Sequence, residues 1–454
     1  MKKSFVLLLV PALALAIYDM KWFDLNHWRA PFYNDGRWGI DITQGSAGAG
    51  TWPQPLHNVY VFGAGPWVGA IVGNETLVTI GYNPNSGGTE FIPVLCRYWR
   101  QGSADSADRV YKYPGDWPPP LSRFPMAPQV PRSPMELWAC FGDSDPTNHI
   151  SPGRPLGIDI YLTVFGFSDS IARDIFFLKY ELANFSGASL NQAYFGMMLD
   201  GDIGDFSDDM TGLILNKRFQ VGSDTFWVRN TGYLYDWDNY EPPSPDWDSG
   251  TPGAVALRLL AAPPGLGLTA FKKLTIDIDP VTDPDQFLTL AGYNYLTGQY
   301  QPYDSVDLTP GDKRALLACG PFTLQPDSVA TFWFAVIGAP YGEANQPPNE
   351  RDTTELALRC WWAEQVFPRL LAVAEGRQPT ANSSQPPATI VRGVLFLPAV
   401  SACLLDASGR KVMDLSPGPN DMHHIAPGAY FVVNAHRRVG RGWTSSVRKV
   451  ILTN

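Results

Sequence analysis

The stretch VYVFGAGPWVGA, Val59–Ala70, decides between two fold classes. A β-branched, apolar lead-in followed by Gly63, Gly65 and Gly69 resembles the phosphate-binding turn of an α/β dinucleotide domain. That turn works only if a helix opens directly after the glycines, because free N–H groups at the helix N-terminus hold the pyrophosphate. Here the chain continues PWVGAIVGNETLVTIGYNPNSGG. Gly69 and Gly73 are poor helix formers, and Val68, Ile71, Val72, Val78 and Ile80 favour strands. The spacing is G-x-G-x-x-x-G, one residue too long. The segment therefore reads as strand, bend, strand, a turn at Gly73-Asn74, strand, and another turn over Asn83–Gly88. Its glycines let strands bend or pack closely, and no cofactor site is expected.

The rest of the chain agrees with a β protein. Its 454 residues hold 42 Gly and 41 Pro, and only 17% are charged. Abundant turn formers and aromatics with little charge favour short strands joined by ordered loops. Strong strand candidates are Ile158–Phe167, Ile175–Asn184, Ala193–Leu199 and Ser328–Ile337, which imply large antiparallel sheets packed face to face. One helix is expected: Asp352-Thr-Thr-Glu355 has the form of a capping box. Apolar residues from Leu356 to Leu370 then recur at helical spacing, with a break or kink at Pro368. Tyr111–Pro134 carries too many prolines for a ladder and belongs on a surface or edge. Tyr235–Gly250 mixes acids with aromatics. Its Trp and Tyr side chains can stack on sugar rings or fold over the end of a sandwich, and the latter is the expectation.

The amino terminus reads as a cleaved export signal. Met1-Lys2-Lys3 is basic, Ser4–Ala16 is apolar, and Ala14-Leu15-Ala16 fits a small-residue cleavage site. The apolar run is shorter than the ~20 residues a membrane-spanning helix needs. Residues 1–16 are thus assigned as signal, and the mature chain carries no transmembrane segment. With 34 basic and 44 acidic residues the net charge is −10, and loss of Lys2 and Lys3 takes it to −12. Nucleic acid, which is bound through clustered Lys and Arg, is excluded as a partner. Cys96, Cys140, Cys319, Cys360 and Cys403 are each isolated, so none forms a zinc pair. Their pairing is open, as is a role as small buried apolar residues. An esterase-like pattern is also dismissed. Phe141-Gly-Asp143-Ser144, Gly418-Pro-Asn-Asp421 and Asp421-Met-His-His424 mimic the blocks of a GDS-type esterase, but the last two share Asp421, which cannot serve both.

The body, residues 17–375, is followed by a linker rich in Pro, Ser and Asn, residues 376–388, and by a compact module, residues 389–454. That module contains LLDASGRKV, IAPGAYFV and a terminal VRKVIL. In this it resembles the type A carboxy-terminal sorting domain of the type IX secretion system. The matching positions are Asp406, Gly409, Arg410, Val412, Gly428, Tyr430, Arg448 and Lys449. The resemblance implies a small immunoglobulin-like sandwich, recognised by secretion machinery of the outer membrane and commonly cleaved during attachment to the cell surface. Within the body, YVFGAGPWVGA, GYNPNSGGTEF, DGDIGDFSDD and GPFTLQPDSVATFWFAVIG are similar to pieces of uncharacterised cargo proteins with such tails. That implies secretion but no activity.

The segment that carries most chemistry is Asp200-Gly-Asp202-Ile-Gly-Asp205-Phe-Ser-Asp208-Asp209. Five carboxylates in ten residues repel one another unless a cation neutralises them. Calcium, which takes 6–8 oxygens in flexible geometry, suits such a loop, although the twelfth-position Glu of an EF-hand is missing. The calcium is expected to be structural. Asp277, Asp279, Asp283 and Asp285 are further acids of the kind that pair in glycoside hydrolysis, but sequence does not show which would share a groove. The six histidines show no metal-ligand spacing beyond His423-His424. The sequence thus predicts an exported all-β protein of the cell surface or extracellular space. Its expected role is structural or adhesive, toward a surface polymer or its own copies. A secreted carbohydrate-binding or carbohydrate-cleaving protein is the alternative.

Overall fold

Val59–Ala70 forms strand. The computed structural model describes residues 18–43, 47–93, 107–149, 153–222, 224–275, 279–304 and 307–371, and strand-forming stretches between 389 and 453. In it Val59–Val61 is extended, β1 (Gly63–Val72) follows at once, and β2 (Glu75–Ile80) returns antiparallel. Gly73 makes the turn at φ +65°, the left-handed region that only glycine enters without strain. Gly63 has a different task. A Cβ there would lie 2.2 Å from the Tyr82 ring, so the bare backbone is what lets that ring pass and reach the site described below.

Two antiparallel sheets make the body. The larger runs β3 (Tyr111–Tyr113), β4 (Met135–Gly142), β5 (Ile158–Gly166), β6 (Ile175–Asn184), β13 (Val329–Pro340), β10 (Gly253–Ala261), β9 (Asp224–Asp236), β8 (Asp209–Val221). Ile92–Pro93 adds a short strand beside β4. The smaller sheet runs β11 (Leu268–Thr275), β12 (Lys313–Leu324), β7 (Leu190–Gly201), β1, β2.

Period-two alternation explains how they stack. On β13, Ala330, Phe332, Phe334 and Val336 enter the core shared by the two sheets, while Trp333, Ala335 and Ile337 face the other way. Phe195 of β7 stacks on Phe332 across that core at 4.3 Å between ring centroids. The outer face of the larger sheet is covered by α2 (Thr354–Leu371), through Leu356, Cys360, Ala363 and Val366. The outer face of the smaller sheet is covered by Phe287 and Leu290 of α1 (Asp283–Leu290). Both faces are therefore buried over much of each sheet, which is why many of the strands read as continuous apolar runs; the exception is the edge, where Leu215–Arg218 of β8 and Trp227 of β9 are exposed.

Local expectations are refined at several points. Helix α2 runs through Pro368 to Leu371. So near the C-terminus the proline removes one hydrogen bond, and burial of Val366, Phe367 and Leu370 holds the last turn. Asp352 Oδ1 accepts from the Thr354 N–H at 2.9 Å, but Glu355 pairs with Arg359 instead of closing a capping box. Helix α1 is an addition to the single helix expected. Its acids serve its start: the Thr282 hydroxyl accepts from the Asp285 N–H, and Asp283 accepts from the Val78 N–H at 3.0 Å. Asp277 lies outside the described residues. Cys319 and Cys360 are buried free thiols, Cys140 is buried and Cys403 half-buried, while Cys96 lies outside the described residues. Asp143, of the esterase-like pattern, is wholly buried and accepts from the Thr79 hydroxyl and the N–H groups of Leu156, Gly157 and Ile158. It ties loops together.

The chain divides into two compact units, Met1–Ala374 and Glu375–Asn454. The second contains β14 (Thr389–Arg392), β15 (Val394–Leu397), β16 (Ala402–Leu405), β17 (Lys411–Leu415), β18 (Gly418–Asp421), β19 (Gly428–Asn434) and β20 (Val447–Thr453). Five of these form a sheet in the order β14-β20-β19-β16-β17, and β15 pairs with β18. Leu395, Leu404, Leu415, Met422 and Val432 form its core. Among the sorting-motif positions, Arg410 precedes β17 and Val412 lies within it; Gly428 and Tyr430 are on β19, and Arg448 and Lys449 on β20. Asp406 and Gly409 lie outside the described residues.

Candidate functional site

The acidic segment Asp200–Asp209 is the crossover between the two sheets. It leaves the smaller sheet at the end of β7 and enters the larger one at the start of β8. Its five carboxylates are divided along this path. Asp200 and Asp202 join Asp312, and Asp208 joins Asp236 and Glu241; in each trio, one carboxylate oxygen per residue lies within 4.8 Å of the others. That is about the greatest separation of two oxygens bound to one ion at ~2.4 Å each. Asp205 instead caps the short 3-10 turn Phe206–Asp208, accepting from the Ser207 N–H at 2.9 Å. Asp209 is wholly buried and accepts from the Ile203 N–H at 3.2 Å.

At the first group, β-pairing register supplies the counter-charge. Asp200 on β7 is the direct partner of Arg314 on β12. Arg314 Nε lies 3.0 Å from Asp200 Oδ1 and 3.8 Å from Asp279 Oδ2, and a terminal nitrogen lies 2.8 Å from Asp312 Oδ1. The Tyr82 hydroxyl donates to Asp200 Oδ2 at 2.6 Å. Burial works against the Arg314 charge, but Asp200, Asp279 and Asp312 outweigh it and raise its pKa. Asp202 is different: burial, then the nearby Asp312, push its carboxyl up to about 7 despite Arg314. It makes no hydrogen bond or ion pair among the described residues. Asp200, Asp202, Asp312 and Arg314 line a cavity of about 350 Å³ whose apolar walls are Phe62, Pro84 and Phe206.

Gly63 permits this arrangement, so Gly63→Ala should force the Tyr82 ring away and break its bond to Asp200. Overpacking of this kind costs about 1–3 kcal/mol. Urea unfolding checks it, with a lower midpoint expected at an unchanged slope.

Among the described residues no cation is ion-paired with the carboxylates of the second group, although Arg351 is near enough to feel the charge of Asp236. Asp236 closes β9 directly opposite Asp209 on β8, a like-charge pairing that destabilises a ladder. The loop after it folds tightly: Asn239 takes φ +60° and the Tyr240 N–H bonds Asp236 Oδ1 at 3.1 Å. Asp205 N–H donates to Glu241 Oε1 at 2.8 Å, and Trp237 N–H to the Asp208 carbonyl at 3.0 Å. Arg351 is directed at the backbone carbonyls of Asp236 and Trp237. Three wholly buried residues here keep an oxygen without a hydrogen-bond partner among the described residues: Asp209 Oδ1, Asp236 Oδ2 and Asn239 Oδ1. Burial first, and acidic neighbours next, raise Asp236 to about 8. Burial also dominates at Glu241, raised to about 7, and at Asp208, raised to about 6. Buried acidic clusters able to hold a metal ion are therefore present, and the trio Asp208, Asp236 and Glu241 is the one with no guanidinium bound to its carboxylates.

Aromatic side chains surround both groups. Phe206 is 53% exposed, Trp237 43% and Tyr240 53%. Trp247 is wholly buried, against Tyr60 at 5.4 Å between ring centroids. The Tyr235–Gly250 loop thus plugs the sandwich with one tryptophan and exposes the other.

The sequence does not pair Asp236, Glu241, Asp312, Arg314 or Tyr82 with the acidic segment. YDWDNYE carries a usable signal, acids alternating with aromatics in a loop. Nothing local marks Asp312 or Arg314.

No protein-family model matches the sequence, and no curated protein does. Among solved structures, a polysaccharide lyase is similar at a TM-score of 0.28 and 9% identity, over 96% of this chain and 46% of that one. The chain spans less than half the length of that lyase, and a likeness so slight says nothing of activity. No helix among the described residues is long and apolar enough to cross a membrane.

Proposed function

We propose that the protein is exported to the cell surface or the extracellular space and acts there as a structural or adhesive β protein. It binds a surface polymer through the crossover end of its body, which a structural calcium ion braces. The observation that carries this reading is the exposure of Phe206, Trp237 and Tyr240 on loops that also carry buried, mutually repelling carboxylates. We read these large side chains, left in water on loops that carry the acidic groups, as parts of an interaction surface. Calcium is favoured over magnesium because the trio and the Asn239 amide of the same loop offer carboxylate and amide oxygens, which calcium takes in larger number and less strict geometry.

Joint substitution of Trp237 and Tyr240 by Ala should reduce retention of the purified protein on cells stripped of their surface proteins by tenfold or more, with the unfolding midpoint unchanged. Equal retention would remove these side chains from the binding surface.

Export rests on the signal-like residues 1–16 and on the sorting-domain resemblance of residues 389–454, with the secretion machinery of the outer membrane as partner. Mass spectrometry of native protein from cells and from medium tests this. A chain beginning near Ile17 and ending between residues 376 and 388 is the expected product. A chain intact to Asn454 in both fractions would oppose processing.

A further inference from the structure

We infer that the cavity beside Arg314 receives a neutral sugar residue of the bound polymer; this rests on the reading that the crossover end binds a surface polymer. Its volume of about 350 Å³ lies at the small end of ligand sites, and its two kinds of wall select the ligand. Phe206 lines this cavity and exposes about half its surface, which gives a C–H-rich sugar face an aromatic platform. The guanidinium of Arg314, also in the lining, is fixed against Asp200 and Asp312 at 3.0 and 2.8 Å. Donor and acceptor atoms therefore stand side by side, and each sugar hydroxyl both donates and accepts.

Asp202 supplies the deciding charge. It lines the cavity without a donor among the described residues, so a ligand rich in hydroxyl donors satisfies it. An anionic sugar would meet Asp200, Asp202 and Asp312 against one arginine. A divalent ion would sit against the guanidinium that already holds two of its three carboxylates. A purely apolar ligand would leave buried acids unsatisfied, a costly outcome.

The full chain is to be titrated by calorimetry with neutral hexasaccharides of glucose, mannose and xylose. Oligogalacturonate serves as an anionic probe and spermidine as a cationic one. Saturable binding of at least one neutral hexasaccharide is expected, weakened tenfold or more by Phe206→Ala and by Asp202→Asn, while both variants unfold at the wild-type midpoint. Binding of spermidine or oligogalacturonate alone, absence of neutral-sugar binding, or binding that neither substitution weakens would overturn the assignment. Retention on stripped cells separates this from the reading beneath it. If wild type and Phe206→Ala are retained equally, the cavity assignment falls and surface binding stands. If wild type is not retained, both fall.

Discussion

Chelating calcium lowers the stability of the protein, and Asp236→Asn abolishes the difference between loaded and calcium-free samples. A ligand bound only by the native state stabilises it by about 2.7 kcal/mol when present at 100 times its Kd. The effect is large here because the native state of the calcium-free protein holds Asp208, Asp236 and Glu241 together with their carboxyls raised to about 6, 8 and 7. A carboxyl raised in the folded state adds stability that is full below its unfolded pKa, near 4, and is lost as pH rises through the folded value. The calcium-free protein should therefore weaken between about pH 4 and pH 8. Calcium, which binds the ionised forms, should suppress that loss and bind more tightly as pH rises. Asn cannot ionise, so calcium-free Asp236→Asn should be at least as stable as calcium-free wild type at pH 8. Differential scanning calorimetry at pH 5 and pH 8, with calcium and with chelator, measures all four combinations. Equal midpoints for wild type with and without calcium would remove the ion.

Arg314→Met destabilises the fold by about 3–5 kcal/mol, the cost of breaking a buried ion pair by removing one partner. The guanidinium is buried and answers Asp200, Asp279 and Asp312 together, so its loss leaves three acids without their cation. Arg314→Lys should recover only part of this, because a point charge cannot bridge Asp200 and Asp312 in the manner of a planar fork. Urea unfolding of the three proteins decides the matter. A loss below about 1 kcal/mol for Arg314→Met would show that the acids are neutral or solvated in the native state.

Much of the fold is legible because strand faces repeat every second residue. The alternation along Ala330–Ile337 encodes two buried faces, and the valines and isoleucines after Gly65 rule out the helix that a dinucleotide turn requires. The acidic crossover is equally visible as a composition. Its division into two groups is not, because that is set by register between strands far apart in sequence: Asp200 meets Arg314, and Asp209 meets Asp236. Gly63 shows the same limit. Its strand character is local, but its need to be glycine comes from Tyr82, nineteen residues on, whose ring occupies the space a Cβ would fill. Helix α1 is hidden because eight residues with Pro284 near the start give too short a period to read.

Whether Asp208, Asp236 and Glu241 hold a cation at the crossover is decided by terbium luminescence, with terbium standing in for calcium and Trp237 as the nearby sensitiser. Sensitised emission should saturate, be displaced by calcium and disappear in Asp236→Asn. Emission that is absent, or that survives Asp236→Asn undiminished, would contradict a cation held by this trio.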